Sequence, residues 1–289
     1  MHKYLSSIGL GSYDENRIHS LVSQVSKTMA PAYHCINSEN KDFVELRYDM
    51  AGGIGIAVRG SYDYEDEFHP EYYFPYLIST DISTSGTEFT VERLKSEESY
   101  CGICDDTRLG VTLVFYIQNA LEVIKKGYPA GGTEIRNICL SALSIEGKII
   151  LPIMPQPEHI LSEKPEPNRN ALVAAAKSGD EEAMEELVFD DIDVYSLISR
   201  RVEKEDVLSI VDTTFIPYGV ESDIYNIIGI IEDVEKRVNP LTMQEVYIMQ
   251  IECNDVTFPV AIAKNKLMGV PEKGRRFKGT VWLQGHVCD

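Results

Sequence analysis

Five prolines, Pro152, Pro155, Pro157, Pro165 and Pro167, fall within sixteen residues. Each fixes φ near about −65° and removes a backbone donor, so neither a helix nor a central strand can run through them. Residues 153–168 therefore read as an extended linker or wrapping loop, and the chain must build one body before it and another after it.

Before the prolines the pattern begins helical. Asp14 is placed to cap a helix, and Ile18, Leu21, Val22, Val25 and Met29 recur at spacings of three and four until Pro31. From there the segments FVELRYDM, GIGIAVRG, YYFPYLIST, TEFTVERL, GVTLVFYIQN, NICLSALSI and KIILPIM are short and rich in β-branched and aromatic residues. Glu146-Gly147 lies between two apolar runs as a hairpin turn would. The expectation for 1–152 is an α+β domain with a mostly antiparallel sheet.

After the prolines, residues 169–220 read as an acidic helical segment. Ala171 to Lys177 favour helix, Ser178-Gly179-Asp180 breaks and recaps it, and Asp206 is placed to open a third helix. Residues 180–193 hold eight acids and no base, the composition of a solvated helix face. From 221 to 289 the strand pattern returns in IYNIIGIIEDVEK, EVYIMQIEC and VTFPVAIAK, with a tight turn at Asn254-Asp255. A helical turn at Asn265 to Gly269 and the run RRFKGTVWLQGHV, kinked at Gly279 and Gly285, complete a small β-barrel of the OB-like type. The fold class read from sequence is thus α+β: a sheet-based N-terminal domain, a helical middle segment and a small C-terminal β-barrel.

Charge narrows the partners. Forty-six acids against 27 Lys and Arg give a net charge of −19, which repels nucleic acid and anionic membranes unless the bases are segregated. They are partly segregated. Residues 264–278 carry six bases against Glu272 alone, beside Phe277 and the single tryptophan, Trp282. Bases interleaved with aromatics suit phosphate tracking with base stacking. The candidate ligand-binding residues are Lys264, Lys273, Arg275, Arg276, Lys278 and Trp282, and the partner is single-stranded nucleic acid or an acidic protein surface. The same residues serve equally well paired to the chain's own acids, with Trp282 plugging a core.

Catalytic motifs give little. The sequence has no GxxxxGK[ST], GxSxG or HExxH, and Gly52-Gly53-Ile54-Gly55 runs into a β-like segment with no helix to face a phosphate. Cys101-Gly102-Ile103-Cys104 lacks a second metal-ligand pair, and Asp105 and Asp106 oppose a thiolate. No catalytic residue, metal or cofactor is therefore assigned. Residues 62–76 combine seven aromatics with five acids, as an acidic aromatic surface for a cationic ligand would, or as a loop entering a core strand. An enzyme remains the alternative to a non-catalytic binding or regulatory protein. It would use the acids of 63–71, the 101–106 loop and His69 as an acid–base group. No stretch of about 18 apolar residues offers a membrane span. The opening MHKYLSSIGLGSYDEN lacks the apolar core of a secretory signal, and six scattered cysteines suit a reducing compartment, so the expected location is cytoplasmic.

Three blocks carry a resemblance: MHKYLSSIG, ISRRVEKEDVLSIVDTTFIPYGVESDIYNIIGII and GVPEKGRRFKGTVWLQG. Together they resemble an uncharacterised bacterial family, a domain of unknown function known chiefly from anaerobic Gram-positive gut bacteria. The resemblance runs the whole chain. It implies a bacterial cytoplasmic protein and brings no activity, cofactor or catalytic residue with it.

Overall fold

The structure is a computed structural model that describes residues 2–36, 42–93, 99–106, 108, 111–126, 134–152, 211–219 and 223–288. A 3₁₀ turn over Lys3–Ile8 leads into helix α1, Glu15–Thr28. Asp14 caps α1 by accepting the Arg17 amide at 2.9 Å, and Ile18, Leu21, Val22 and Val25 form its buried stripe. Four antiparallel strands follow in spatial order: β1 (Pro31–Ile36), β2 (Asp42–Asp49), β3 (Ile54–Tyr62) and β4 (Phe68–Leu77). The β2–β3 turn needs its glycines, because Gly53 has φ 97° and the Tyr76 ring lies over Gly55, where a Cβ would meet the Tyr76 hydroxyl at 2.4 Å.

The second sheet is larger. It holds β5 (Thr84–Arg93), β6 (Tyr100–Asp106), β7 (Val111–Ile117), β8 (Glu134–Ile150), β9 (Thr214–Pro217), β10 (Ile224–Val238), β11 (Glu245–Cys253), β12 (Val256–Ala263), β13 (Leu267–Met268) and β14 (Arg276–Cys288). A short helix α2, Ala120–Lys125, follows β7. The long strands β8 and β14 pair antiparallel from Ile150↔Arg276 to Asn137↔Cys288. Each then changes partner along its other edge. β8 pairs with β5 through Ile138 and with β12 at Ala142 and Leu143. β14 pairs with β10 from Arg276 to Trp282 and with β7 at Gln284 and Gly285.

Two five-strand rings result, both closed by the β8–β14 ladder: β8-β5-β6-β7-β14 and β8-β12-β11-β10-β14. One continuous core fills them. Phe89, Leu113, Phe115 and Leu140 meet Ile251, Phe258, Phe277 and Leu283 in it, all fully buried. The outer face of the seam carries Leu143 and Trp282, which join α1, the 3₁₀ turn and the first sheet in a second core with Leu5, Ile18, Leu46, Ile56 and Phe74.

The expected fold class is corrected here. The described residues are mostly strand, interrupted by two short α-helices and two 3₁₀ turns, one of them Lys264–Lys266. A small barrel does include the C-terminal strands, but its fifth stave is β8, so it is no separate C-terminal barrel. Closing a ring removes the exposed edges of β12 and β14 and shields their apolar faces, and only β8 supplies both edges. No described helix supports a helical middle segment. Residues 153–210 of that segment and of the proline-rich stretch lie outside the described residues, and the portion at Thr214–Pro217 is strand β9. The expected hairpin at Glu146-Gly147 is absent too, since β8 runs straight through it. Among the described residues no helix is long and apolar enough to cross a membrane.

A fragment of residues 221–289 alone should not fold, because β8 is missing from its ring. The expected result is a collapsed, poorly dispersed amide NMR spectrum; a well-dispersed one would show that closure by β8 is dispensable.

Candidate functional site

Three charged residues sit on one face of the first sheet because strands alternate their side chains. Glu45 and Arg47 are two apart on β2, and Arg59 on β3 is directly opposite Glu45 in the register. Tyr72 of β4 is in turn opposite Arg59. Glu45 and Arg59 are fully buried. Arg59 Nε donates to Glu45 Oε2 at 2.6 Å, and Arg47 Nε donates to Glu45 Oε1 at 2.6 Å. Both guanidinium groups also donate to the Gln118 carbonyl, at 2.9 and 3.1 Å. Arg59 Nη1 donates to Tyr72 Oη at 2.6 Å.

Aromatic rings close around this cluster. The Arg59 guanidinium lies 4.8 Å from the Phe74 centroid, 5.6 Å from Tyr72 and 5.7 Å from Tyr116. Burial works against the charge on Arg59, but Tyr116, Glu45 and Tyr72 outweigh it, and its proton is held more tightly than usual. Both guanidinium groups thus share the one Glu45 carboxylate.

Beside the cluster opens a cleft of about 400 Å³, lined by His2, His19, Val22, Pro70, Glu71, Tyr72, Tyr73, Phe74, Ser99, Tyr116 and Trp282. Trp282 stacks on Tyr4 at 5.3 Å and meets His2 at 4.8 Å and Tyr116 at 5.2 Å. Its indole N–H is satisfied by Asp223 Oδ2 at 2.7 Å. The Tyr116 hydroxyl differs. It is buried and makes no well-formed hydrogen bond, although the Tyr72 and Ser99 hydroxyls lie next to it. Burial pushes the Tyr116 phenol well above its ordinary range, so it stays a neutral O–H donor. Burial, reinforced by Lys3, pulls His2 down to about 4, which leaves that ring neutral at pH 7.

The six residues singled out at the C-terminal end are differently employed. Trp282 is 6% exposed and forms a wall of the cleft. Arg276 is buried. Lys264 shares Glu245 with Lys236, Lys273 pairs with Glu232 at 3.5 Å, and Arg275 pairs with Glu272 at 2.8 Å. Lys278 is half-buried on β14, opposite Ile228 and Lys148.

The acid–base candidates of the 63–71 segment divide. His69 Nε2 meets Asp63 Oδ2 at 2.6 Å on the exposed β3–β4 turn, and Glu67 joins them with all three ligand atoms within 4.8 Å of one another. His69 is raised by this hydrogen bond and Asp63 lowered by it. That trio is the one group among the described residues with the makings of a metal site, and it is wholly exposed. Only Glu71 of the segment's acids reaches the cleft. Cys101 and Cys104 are three apart on strand β6, so their thiols emerge on opposite faces: Cys104 enters the barrel core and Cys101 donates to the Glu92 carbonyl at 3.6 Å. Cys139 and Cys288, unpaired in sequence, bring their sulfurs to 3.0 Å. Burial and Cys288 push the Cys139 thiol up to about 12, away from a reactive thiolate.

Sequence reading reached Tyr72, Tyr73 and Phe74 through the aromatic run, and Trp282 through the basic strip. It missed Glu45, Arg47, Arg59 and Tyr116. The available signal was VELRYD followed by AVRG, charges at alternate positions within otherwise apolar strands.

The chain matches the family model described as "Domain of unknown function, E. rectale Gene description (DUF3881)" over residues 5–285, and it belongs to that family. No curated protein and no solved structure matches it.

Glu45→Gln removes the carboxylate shared by the buried Arg59 and the partly buried Arg47. It should cost about 3–5 kcal/mol of unfolding free energy, measured by urea denaturation; a loss below about 1 kcal/mol would mean that water already screens the cluster. His2 binds its proton less readily folded than unfolded, so the unfolded chain takes up more protons as pH falls through 6.5 towards 4. Stability should therefore fall over that window by up to about 3 kcal/mol. His2→Gln should flatten this part of the stability–pH curve, and an unchanged slope would refute the assignment.

Proposed function

We propose that this member of a family of unknown function is a non-catalytic binding protein whose ligand occupies the aromatic cleft. The observation that carries the reading is the cleft itself: about 400 Å³ of space walled by five aromatic residues, with the polar side chains of His2, His19, Glu71 and Ser99 around it. Small-molecule sites are of this size, roughly 300–1,000 Å³, and pair apolar walls with a few convergent polar atoms.

Catalysis has less behind it. A general base works best with a pKa near the working pH, and His2 in the cleft titrates at about 4. The His69–Asp63 pair stands on the exposed turn between β3 and β4. Nucleic acid or an acidic protein surface on the basic strip is also the weaker reading, because Lys264, Lys273 and Arg275 already face the chain's own carboxylates. The six free thiols support placing the protein in the reducing cytoplasm.

Trp282 is the sole tryptophan and lines the cleft, so its emission reports occupancy directly. Titration with 2-naphthalenemethanol, a neutral planar probe, should give a saturable change that Tyr73→Ala weakens about tenfold, equivalent to about 1.4 kcal/mol. A single-stranded RNA 20-mer should leave the emission and the electrophoretic mobility unchanged. Salt-sensitive RNA binding with no response to the naphthalene would replace the cleft by the basic strip.

A further inference from the structure

We propose that Cys139 and Cys288 are a redox modification site: a peroxide oxidises them to a reversible disulfide that locks the seam between β8 and β14. The site is separate from the cleft and stands without it.

The ladder brings the two thiols together. Cys139 is opposite His286, and Cys288, two residues further along β14, is opposite Asn137. Ile138, Leu140 and Val287 enter the barrel core, so by alternation Cys139, His286 and Cys288 share the other face of the seam. There the two sulfurs lie 3.0 Å apart, although 149 positions separate the residues in sequence. A disulfide bond is about 2.05 Å long, so closing it takes a movement of about half an ångström by each sulfur. The backbone between His286 and Cys288 is already fixed. Asn119 accepts from the Val287 amide at 3.0 Å and donates to its carbonyl at 2.9 Å. Reacting groups held this close react as one molecule rather than as two.

Burial divides the labour. Cys288 is partly exposed, whereas Cys139 is buried, so an oxidant meets Cys288 first. Burial and the contact with Cys288 push the Cys139 thiol up to about 12, which keeps it a thiol until its neighbour has reacted. Burial alone does not make such a pair. Cys253 is pushed up as far, but its thiol faces the Thr214 and Ile228 carbonyls at 3.1 and 3.3 Å.

The chemistry closes on these two residues and one peroxide. The Cys288 thiolate attacks a peroxide oxygen; an S–O bond forms, the O–O bond breaks, and the other oxygen leaves as hydroxide, which takes up the proton that Cys288 gave up. Cys139 then attacks the sulfur of the resulting sulfenic acid. The S–S bond forms, the S–O bond breaks, and the second hydroxide leaves as water with the Cys139 proton. Two thiols and one peroxide become one disulfide and two waters, with two electrons passing from sulfur to oxygen. A reducing thiol reverses the bridge by exchange. In a reducing compartment such a pair rests as two thiols and bridges only transiently.

The test treats the purified full-length protein with hydrogen peroxide at pH 7.5, alkylates the remaining thiols and digests with trypsin without reduction. Mass spectrometry should find peptides 137–148 and 279–289 joined through Cys139 and Cys288, and dithiothreitol should separate them. The bridge closes a loop of about 150 residues, so the oxidised protein should melt about 10 °C above the reduced one. Cys288→Ser should melt with the reduced wild type and show neither bridge nor shift. Cys139→Ser should instead leave a sulfenic acid on Cys288 that dimedone traps. Oxidation of Cys288 to sulfinic acid with Cys139 still a free thiol would overturn the proposal. So would a bridge joining peptide 279–289 to its copy in a second molecule. An internal bridge that leaves the melt unchanged would overturn the lock.

Discussion

The antiparallel ladder between β8 and β14 is the contact on which the rest of the structure depends. Two strands far apart in sequence pair from Ile150↔Arg276 to Asn137↔Cys288, and their free edges are then used twice over, by β5 and β12 on one side and by β7 and β10 on the other. A five-strand ring has little interior, and aromatic side chains fill it only if small residues face them. The seam provides those residues. A Cβ on Gly147 would come within 2.4 Å of the Phe277 ring, and one on Gly285 within 2.4 Å of Phe115. Glycine in a strand is intrinsically unfavourable, and here the large rings that occupy the vacated space offset that cost.

With the rings closed, the outer face of the seam needs cover, and the first sheet supplies it. This explains why charge is buried there. A sheet enclosed on both faces reads as near-continuous apolar sequence, yet β2 and β3 carry Glu45, Arg47 and Arg59. Burying an ion pair rarely gains stability over apolar packing. Its value lies in direction: Glu45 and the Gln118 carbonyl fix both guanidinium groups, and Arg59 in turn holds Tyr72 in place. Gln118 is itself held, donating to the Leu77 carbonyl and to Gln284 Oε1, both at 2.8 Å. The polar layer therefore ties the first sheet to β14.

Local elements were legible in the sequence because their determinants are local. Asp14 and the three-four spacing identify α1, and Asn254-Asp255, both with positive φ, make the tight turn between β11 and β12. What was not legible is long-range. Nothing local distinguishes NICLSALSIEGKII as one strand from two with a turn, because Glu146-Gly147 suits a hairpin and only the facing Phe277 requires the glycine in a straight strand. The proline cluster invited a division into N- and C-terminal bodies, whereas β8 and β14 pair across it. CGIC read as a loop because the polar Asp105 and Asp106 follow it, yet β6 needs only Tyr100, Gly102 and Cys104 on its core face. The candidate site suffered likewise: Tyr72 and Trp282 are separated by the whole proline-rich and acidic stretch, and no spacing rule connects them.

The cleft sits where the large sheet changes partners. On β14, Trp282 is opposite Ile224 at the start of β10, and two residues later Gln284 is opposite Tyr116 on β7. Between those positions neither neighbour continues, so the sheet divides, with Asp223 at the division holding the Trp282 indole and the Leu283 amide. Strands that diverge cannot fill the space between them with their own side chains. Ligand sites in open sheets arise at such divisions for that reason. Here the division is walled by Trp282 and Tyr116 and floored by the polar layer that closes the first sheet onto the seam. The same change of partner that allows two rings to share one ladder thus also creates the opening that a ligand would fill.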